Sequence, residues 1–133
     1  MSEGIVKIIY IAGKYSARND HEKRVNIDIA REEAEFVWAN GGVALCPHLN
    51  SAWMSGICPE KNFIDGYLEI LKRCDALYTC YNWRDSKGAI REVEFAIRWK
   101  IPVLFTRNNV IRFLNGGING IREFSFWKFS GDI

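Results

Sequence analysis

The chain has 133 residues, 48% of them hydrophobic and 26% charged, the size and balance of one ordinary globular domain, and it is read as a single domain over 1–133. Eighteen Lys and Arg against 16 Asp and Glu leave a net charge of +2, too near neutrality for the dense positive surface that long nucleic acid demands. No run approaches the roughly 18 apolar residues that span a bilayer, and Met1-Ser2-Glu3-Gly4 begins no basic-then-apolar leader, so a soluble cytoplasmic protein without a membrane partner is expected.

Val6 to Ala12 is a short apolar run rich in β-branched residues and closed by Gly13, the pattern of a strand buried on both faces of a parallel sheet. After the polar stretch Lys14 to Lys23, apolar residues recur at helical spacing from Val25 to Trp38, until Asn40-Gly41-Gly42 stops them. Val43 to Cys46 reads as a second strand, ended by Pro47-His48, and Leu49 to Lys61 has no period and is expected to be irregular. Phe63 to Arg73 has helical spacing with basic residues in its last turn, and Cys74 to Tyr81 reads as a third buried strand. Trp83 to Gly88 is a turn, Ala89 to Lys100 a helix, and Ile101 to Phe105 a fourth strand entered through Pro102.

Strands alternating with helices predict an α/β fold: a three-layer, doubly wound, mainly parallel sheet of Rossmann-like or flavodoxin-like build, with its core over 5–105. Ligands of such sheets bind beyond the carboxyl ends of the strands. That singles out Gly13 to Arg18, Pro47 to Ser51, and Tyr81 to Gly88. Beyond Thr106 the periodicity weakens, and the aromatic tail with Phe124, Phe126, Trp127 and Phe129 is read as an edge strand or an arm against another subunit.

Cys46, Cys58, Cys74 and Cys80 lie 12, 16 and 6 positions apart with no C-x-x-C pair, so reduced thiols packed as small hydrophobes are expected rather than zinc or disulfides. His21 and His48 stand alone, and neither a P-loop nor a dinucleotide fingerprint occurs. No metal and no cofactor is expected.

The helix Ala89 to Lys100 carries two interior carboxylates, which a wheel at about 100° per residue separates. Ala89, Ile90, Val93, Ala96 and Ile97 form the sheet-facing stripe, and Glu94 on one flank has Arg91 and Arg98 within a turn, a solvated ion-pair arrangement. Glu92 on the other flank has Phe95, Ala96 and Trp99 ahead of it, so no helical neighbour neutralises it, and it should point into the cleft. The preceding Ser86-Lys87-Gly88 offers a hydroxyl, open backbone and helix N-terminal amides, a combination that suits an anion. Gly13 either admits a ligand to the backbone or only turns the chain, and His48 follows the second strand at the same edge.

Tyr10-Ile11-Ala12-Gly13, Cys46-Pro47-His48, Arg73-Cys74-Asp75-Ala76-Leu77 and above all Ser86-x-Gly88-x-x-x-Glu92-x-x-x-Ala96 together resemble the nucleoside 2-deoxyribosyltransferase superfamily. That superfamily includes 2'-deoxynucleoside 5'-monophosphate N-glycosidases and small phage and bacterial proteins of unassigned role. The resemblance spans about Ile5 to Phe105 and implies N-glycosidic cleavage or deoxyribosyl transfer through a covalent glycosyl-Glu92 intermediate. It assigns Ser86 and Gly88 to a phosphate- or sugar-binding turn, Tyr10 and Gly13 to the edge beneath the substrate, and His48 to the ligand side. Tyr10 or Tyr15 would sense the missing 2'-hydroxyl. The family's general acid falls at Tyr67, and a two-residue slip gives that role to Asp65; the arginine of the monophosphate hydrolases falls at Ser16, with Arg18 nearby. A homodimer or larger homo-oligomer acting on a small nucleoside or nucleotide is implied, the alternative being a non-catalytic nucleotide-binding module of the same fold.

Overall fold

The structure is a computed structural model and describes residues 5–116. Its elements run β1 (Ile8–Ala12), α1 (Asp20–Ala39), β2 (Val43–Leu45), the single turn α2 (Pro47–Asn50), α3 (Glu60–Lys72), β3 (Ala76–Thr79), a 3-10 turn at Trp83–Asp85, α4 (Lys87–Arg98), β4 (Val103–Leu104) and α5 (Arg107–Leu114). All four strands are parallel in the order β2-β1-β3-β4. The expected α/β fold of Rossmann-like build is therefore present. Among the described residues no helix is long and apolar enough to cross a membrane.

Strand alternation divides the core in two, because successive side chains leave opposite faces of a sheet. Ile9 and Ile11 of β1, with Tyr78 and Leu104, pack under Ala30, Ala34 and Val37 of α1 and Val110 and Phe113 of α5. Tyr10 and Ala12, with Leu77 and Val103, pack under Leu71 of α3 and Ala89, Val93 and Ala96 of α4. These interior residues are fully or almost fully withdrawn from water, which is why the strands read as continuous apolar runs.

The strands are shorter than their apolar runs. Ile5 and Val6 are exposed, and β1 starts where Ile8 N–H donates to Asp75 Oδ2 at 2.7 Å while Asp75 N–H returns a bond to Ile8 O at 2.8 Å. Asp75 thus completes the sheet's entrance. Three helices begin earlier than the hydrophobic period indicates: α3 starts at Glu60 behind Pro59, and α1 and α4 have first turns set by side-chain caps. Asn19 Oδ1 accepts from Glu22 N–H at 2.9 Å and Glu22 in turn accepts from Arg18 N–H at 3.1 Å, and Ser86 Oγ accepts from Ala89 N–H at 3.1 Å ahead of α4.

Two expectations are corrected. The segment after β2 is not wholly irregular, since Pro47 starts the turn α2. Residues Arg107–Leu114, where the sequence shows no clear period, are helical: Thr106 Oγ1 accepts from Asn109 N–H at 3.1 Å and Asn109 Oδ1 accepts from Phe105 N–H at 3.0 Å, so α5 closes the α1 face. The aromatic tail from Phe124 to Phe129 lies outside the described residues.

Candidate functional site

The sheet order changes direction at β1, which has β2 on one side and β3 on the other. Above the carboxyl ends of these strands lies a cavity of about 860 Å³, within the range of small-molecule sites. Its walls come from the β1–α1 segment, the turn at Pro47 and His48, the loop between α2 and α3, one side of α3, and the start of α4.

Glu92 lines this cavity. It sits in the second turn of α4, one residue before Val93, which is sealed against the sheet, so its own side chain falls on the flank that overlooks the strand ends. Tyr10 from β1 reaches it from below, its hydroxyl donating to Glu92 Oε2 at 2.5 Å. Among the described residues no cation forms a salt bridge with Glu92. Burial raises its carboxyl from the ordinary carboxylate range to about 7, an effect only partly offset by the Tyr10 hydrogen bond and by the charge of Arg91. Burial and the adjacent carboxyl push the Tyr10 phenol well above its usual value. The pair therefore keeps its proton on Tyr10 and leaves Glu92 to titrate near neutrality.

Ser86 and Gly88 lie beside Glu92 in the lining. Ser86 Oγ spends one lone pair on the α4 cap, leaving its hydroxyl proton free for a ligand. A side chain added at Gly88 would meet no protein atom nearer than Ser86 Oγ at 3.7 Å; the missing Cβ leaves cavity space. Gly13 is different. A Cβ there would come within 2.8 Å of Cys80 Sγ and 2.9 Å of its Cβ, so this glycine answers to strand packing as well as to the cavity it lines.

Tyr15 and Ser16 also face the cavity. Asn26, buried in α1, holds their carbonyls with its amide at 3.3 and 3.1 Å. The Tyr15 ring stands edge-on to His48 at 5.6 Å, and its hydroxyl accepts from Trp53 N–H at 3.3 Å. His48 is buried, and its Nε2 lies 2.9 Å from Lys14 O. A carbonyl only accepts, so Nε2 carries the proton. Nδ1 is enclosed with no partner, and burial lowers the imidazole's pKa, which keeps it neutral and makes it a prop for the β1–α1 segment.

Three residues singled out by sequence are absent from the cavity lining: Tyr10 is buried beneath it with its hydroxyl on Glu92, and two others are directed elsewhere. Arg18 is highly exposed and paired with Glu22 one turn on, while Asp65 points to solvent in an ion pair with Lys61; neither is in the lining. The cations that are there are Lys14, Lys23, Lys87 and Arg91, and the carboxyls besides Glu92 are Glu60 and Asp85. On α3, Tyr67, where the resembled family has its general acid, lines the cavity together with Phe63, Ile64 and Leu68, which sequence reasoning passed over. Their i, i+1, i+4, i+5 spacing is the signal, indistinguishable in sequence from a stripe that packs on the sheet.

Together these features define an α/β protein of Rossmann-like build whose switch-point cleft holds a partly buried carboxyl hydrogen-bonded to a core tyrosine. The chain belongs to the family described as Domain of unknown function (DUF4406), whose family model matches residues 7–105. That span takes in all four strands and every residue of the cavity. No curated protein matches the chain.

Proposed function

We propose that this protein cleaves the N-glycosidic bond of a 2'-deoxynucleoside or its 5'-monophosphate, or transfers the deoxyribosyl group, with Glu92 as nucleophile. The observation that carries the reading is the Glu92 carboxyl, set in a cavity at the strand ends and held by Tyr10 rather than by a cation. Breaking the bond builds positive charge at the sugar carbon; an ionised carboxylate stabilises that charge and captures the carbon as a glycosyl ester. Water then gives hydrolysis, and a second base gives transfer. The Ser86-Lys87-Gly88 turn, with its free hydroxyl and uncovered backbone, suits the sugar or a 5'-phosphate, and Lys14, Lys23 and Arg91 in the same lining supply the positive charge that a phosphate needs. The likeness to the nucleoside 2-deoxyribosyltransferase superfamily adds weight, and its members' habit of assembling makes a homo-oligomer part of the proposal.

The test is to incubate the purified protein with a panel of 2'-deoxynucleosides and their monophosphates and to follow free base by chromatography. Release that falls at least a thousandfold in Glu92→Gln supports the reading. Release unaffected by that change, or none at all, counts against it. The exposed position of Asp65 favours a second reading, a nucleotide-binding module without turnover; calorimetric binding of a nucleotide with no base released would establish it.

A further inference from the structure

The cations of the cavity follow the strand ends instead of gathering at one point. Lys87 and Arg91 belong to the start of α4, after β3; Lys14 follows β1; and Lys23, in the first turn of α1, enters the lining beside Trp53 of the loop that comes after β2 and α2. Rings fix Lys23 in place. Its ammonium lies 5.7 Å from the centre of the Tyr15 ring and 5.0 Å from that of Trp53, and the Tyr15 hydroxyl, accepting from Trp53 N–H at 3.3 Å, ties the two rings together. Lys14 is held by its backbone, its N–H donating to Asn82 Oδ1 at 3.2 Å and its carbonyl accepting from His48 Nε2 at 2.9 Å. Both lysines are half-buried, and among the described residues neither forms a salt bridge. Glu22, next to Lys23 in the chain, is turned onto Arg18, while Glu60 and Asp85 of the lining are exposed and screened by water. Lys23 is thus positioned without being neutralised.

Resting on the glycosidic reading, we propose that the substrate carries a phosphate chain: it is a 2'-deoxynucleoside 5'-diphosphate or triphosphate, its first phosphate on the Ser86-Lys87-Gly88 turn and its outer phosphates running along Lys14 to Lys23. A single phosphate on the turn meets one end of the row and leaves the half-buried lysines at the other end unmatched, an arrangement that costs free energy until an anion arrives. A chain of phosphates presents its charge as a line, and so do these cations. Each ammonium is a compact charge with three donors, suited to the acceptor oxygens of a phosphate. The aromatic walls that hold Lys23 leave those donors unspent, since a ring face attracts the cation without taking up its charge.

Calorimetry on Glu92→Gln, which keeps the cavity and removes the nucleophile, compares one 2'-deoxynucleoside with its 5'-mono-, di- and triphosphate in the presence of a metal chelator. The diphosphate should bind about ten- to a hundredfold more tightly than the monophosphate. Adding Lys23→Met should bring the two close to equality, and Lys23→Arg in its place should restore the gap, with thermal melting confirming that each protein is folded. A monophosphate bound as tightly as the diphosphate, a gap that Lys23→Met leaves intact, or no binding of any phosphate overturns the proposal. Base release is followed separately with the unaltered protein. If no compound releases base while the gap in affinity persists, the glycosidic reading falls and the phosphate-chain site stands; if base is released from the monophosphate as readily as from the diphosphate and no gap is seen, the reverse holds.

Discussion

At residue 92 the protein places an acid where two demands meet. On the proposed reading Glu92 must be ionised to act as nucleophile, and burial raises its carboxyl to about 7, so turnover should climb as pH rises through about 7 and level off above it. Tyr10→Phe removes the hydrogen bond that favours the anion. The rising limb of a pH–rate profile should then move to higher pH, with kcat at pH 7 reduced; a limb that stays in place would separate Tyr10 from the ionisation. Stability carries the same signature with a definite sign. Because the folded carboxyl titrates near 7 and the unfolded one near 4.5, the folded state holds the extra proton between these values, and stability is lost as pH rises through them. Glu92→Gln should therefore be more stable than its parent at pH 8, by about 2 kcal/mol once partial contact with cleft water is allowed for, and similar to it at pH 4, as urea titrations at the two values would register. The acid itself was readable from the helix wheel, since Phe95, Ala96 and Trp99 leave it without a local counter-charge. Its partner Tyr10 is singled out only through the family resemblance, and the bond between the two is not legible in the sequence. Tyr10 is 82 positions away, and a tyrosine in a continuous apolar run looks like core, which it also is.

The elements differ in how openly their sequences declare them. The buried strands and the stripe of α4 are written in hydrophobic period, and they fall where that period puts them to within two or three residues. The starts of α1 and α4 are written instead in capping chemistry. Asn19-x-x-Glu22 is a polar signature inside a stretch that hydrophobicity alone discards. α5 escapes the hydrophobic period for the same reason: Thr106 Oγ1 accepts from Asn109 N–H and Asn109 Oδ1 from Phe105 N–H at its start, while its buried residues, Val110 and Phe113, are too few to set a rhythm. The close approach of β1 and β3 at their ends has its own prediction. Gly13→Ala drives a methyl group into Cys80, whose neighbourhood is fully packed, and should cost about 1 to 3 kcal/mol in chemical denaturation. Gly88→Ala, with open space around it, should leave stability nearly unchanged and act on ligand affinity instead, a contrast that one denaturation series with and without nucleotide can check.

For the molecule as a whole, alternation of strand and helix was enough to place the cleft, because a parallel sheet that reverses its winding must open at the reversal. What alternation could not place is the far wall. It is built by α3 and by the loop that follows α2, whose order depends on single contacts such as Trp53 N–H to the Tyr15 hydroxyl and the Lys23 ammonium 5.0 Å over the Trp53 ring. A ligand that bridges this wall and the strand ends binds only the folded chain. Nucleotide at a hundred times its dissociation constant should thus stabilise the fold by about 2.7 kcal/mol, seen as a rise in melting temperature of several degrees that disappears when the same nucleotide is replaced by free base.

The bond between Tyr10 and Glu92 also constrains how descendants of this chain can change. The buried Tyr10 phenol, bonded to Glu92, ties architecture to the carboxyl: deleting the acidic group alone leaves a core hydroxyl without that acceptor. Lineages that abandon the reaction should either retain both members for the sake of the interior or give up both together, phenylalanine arriving at position 10 as an apolar side chain arrives at 92. If the proposed reaction holds, joint replacement at these two sites is the evolutionary mark of a relative that has stopped turning over substrate.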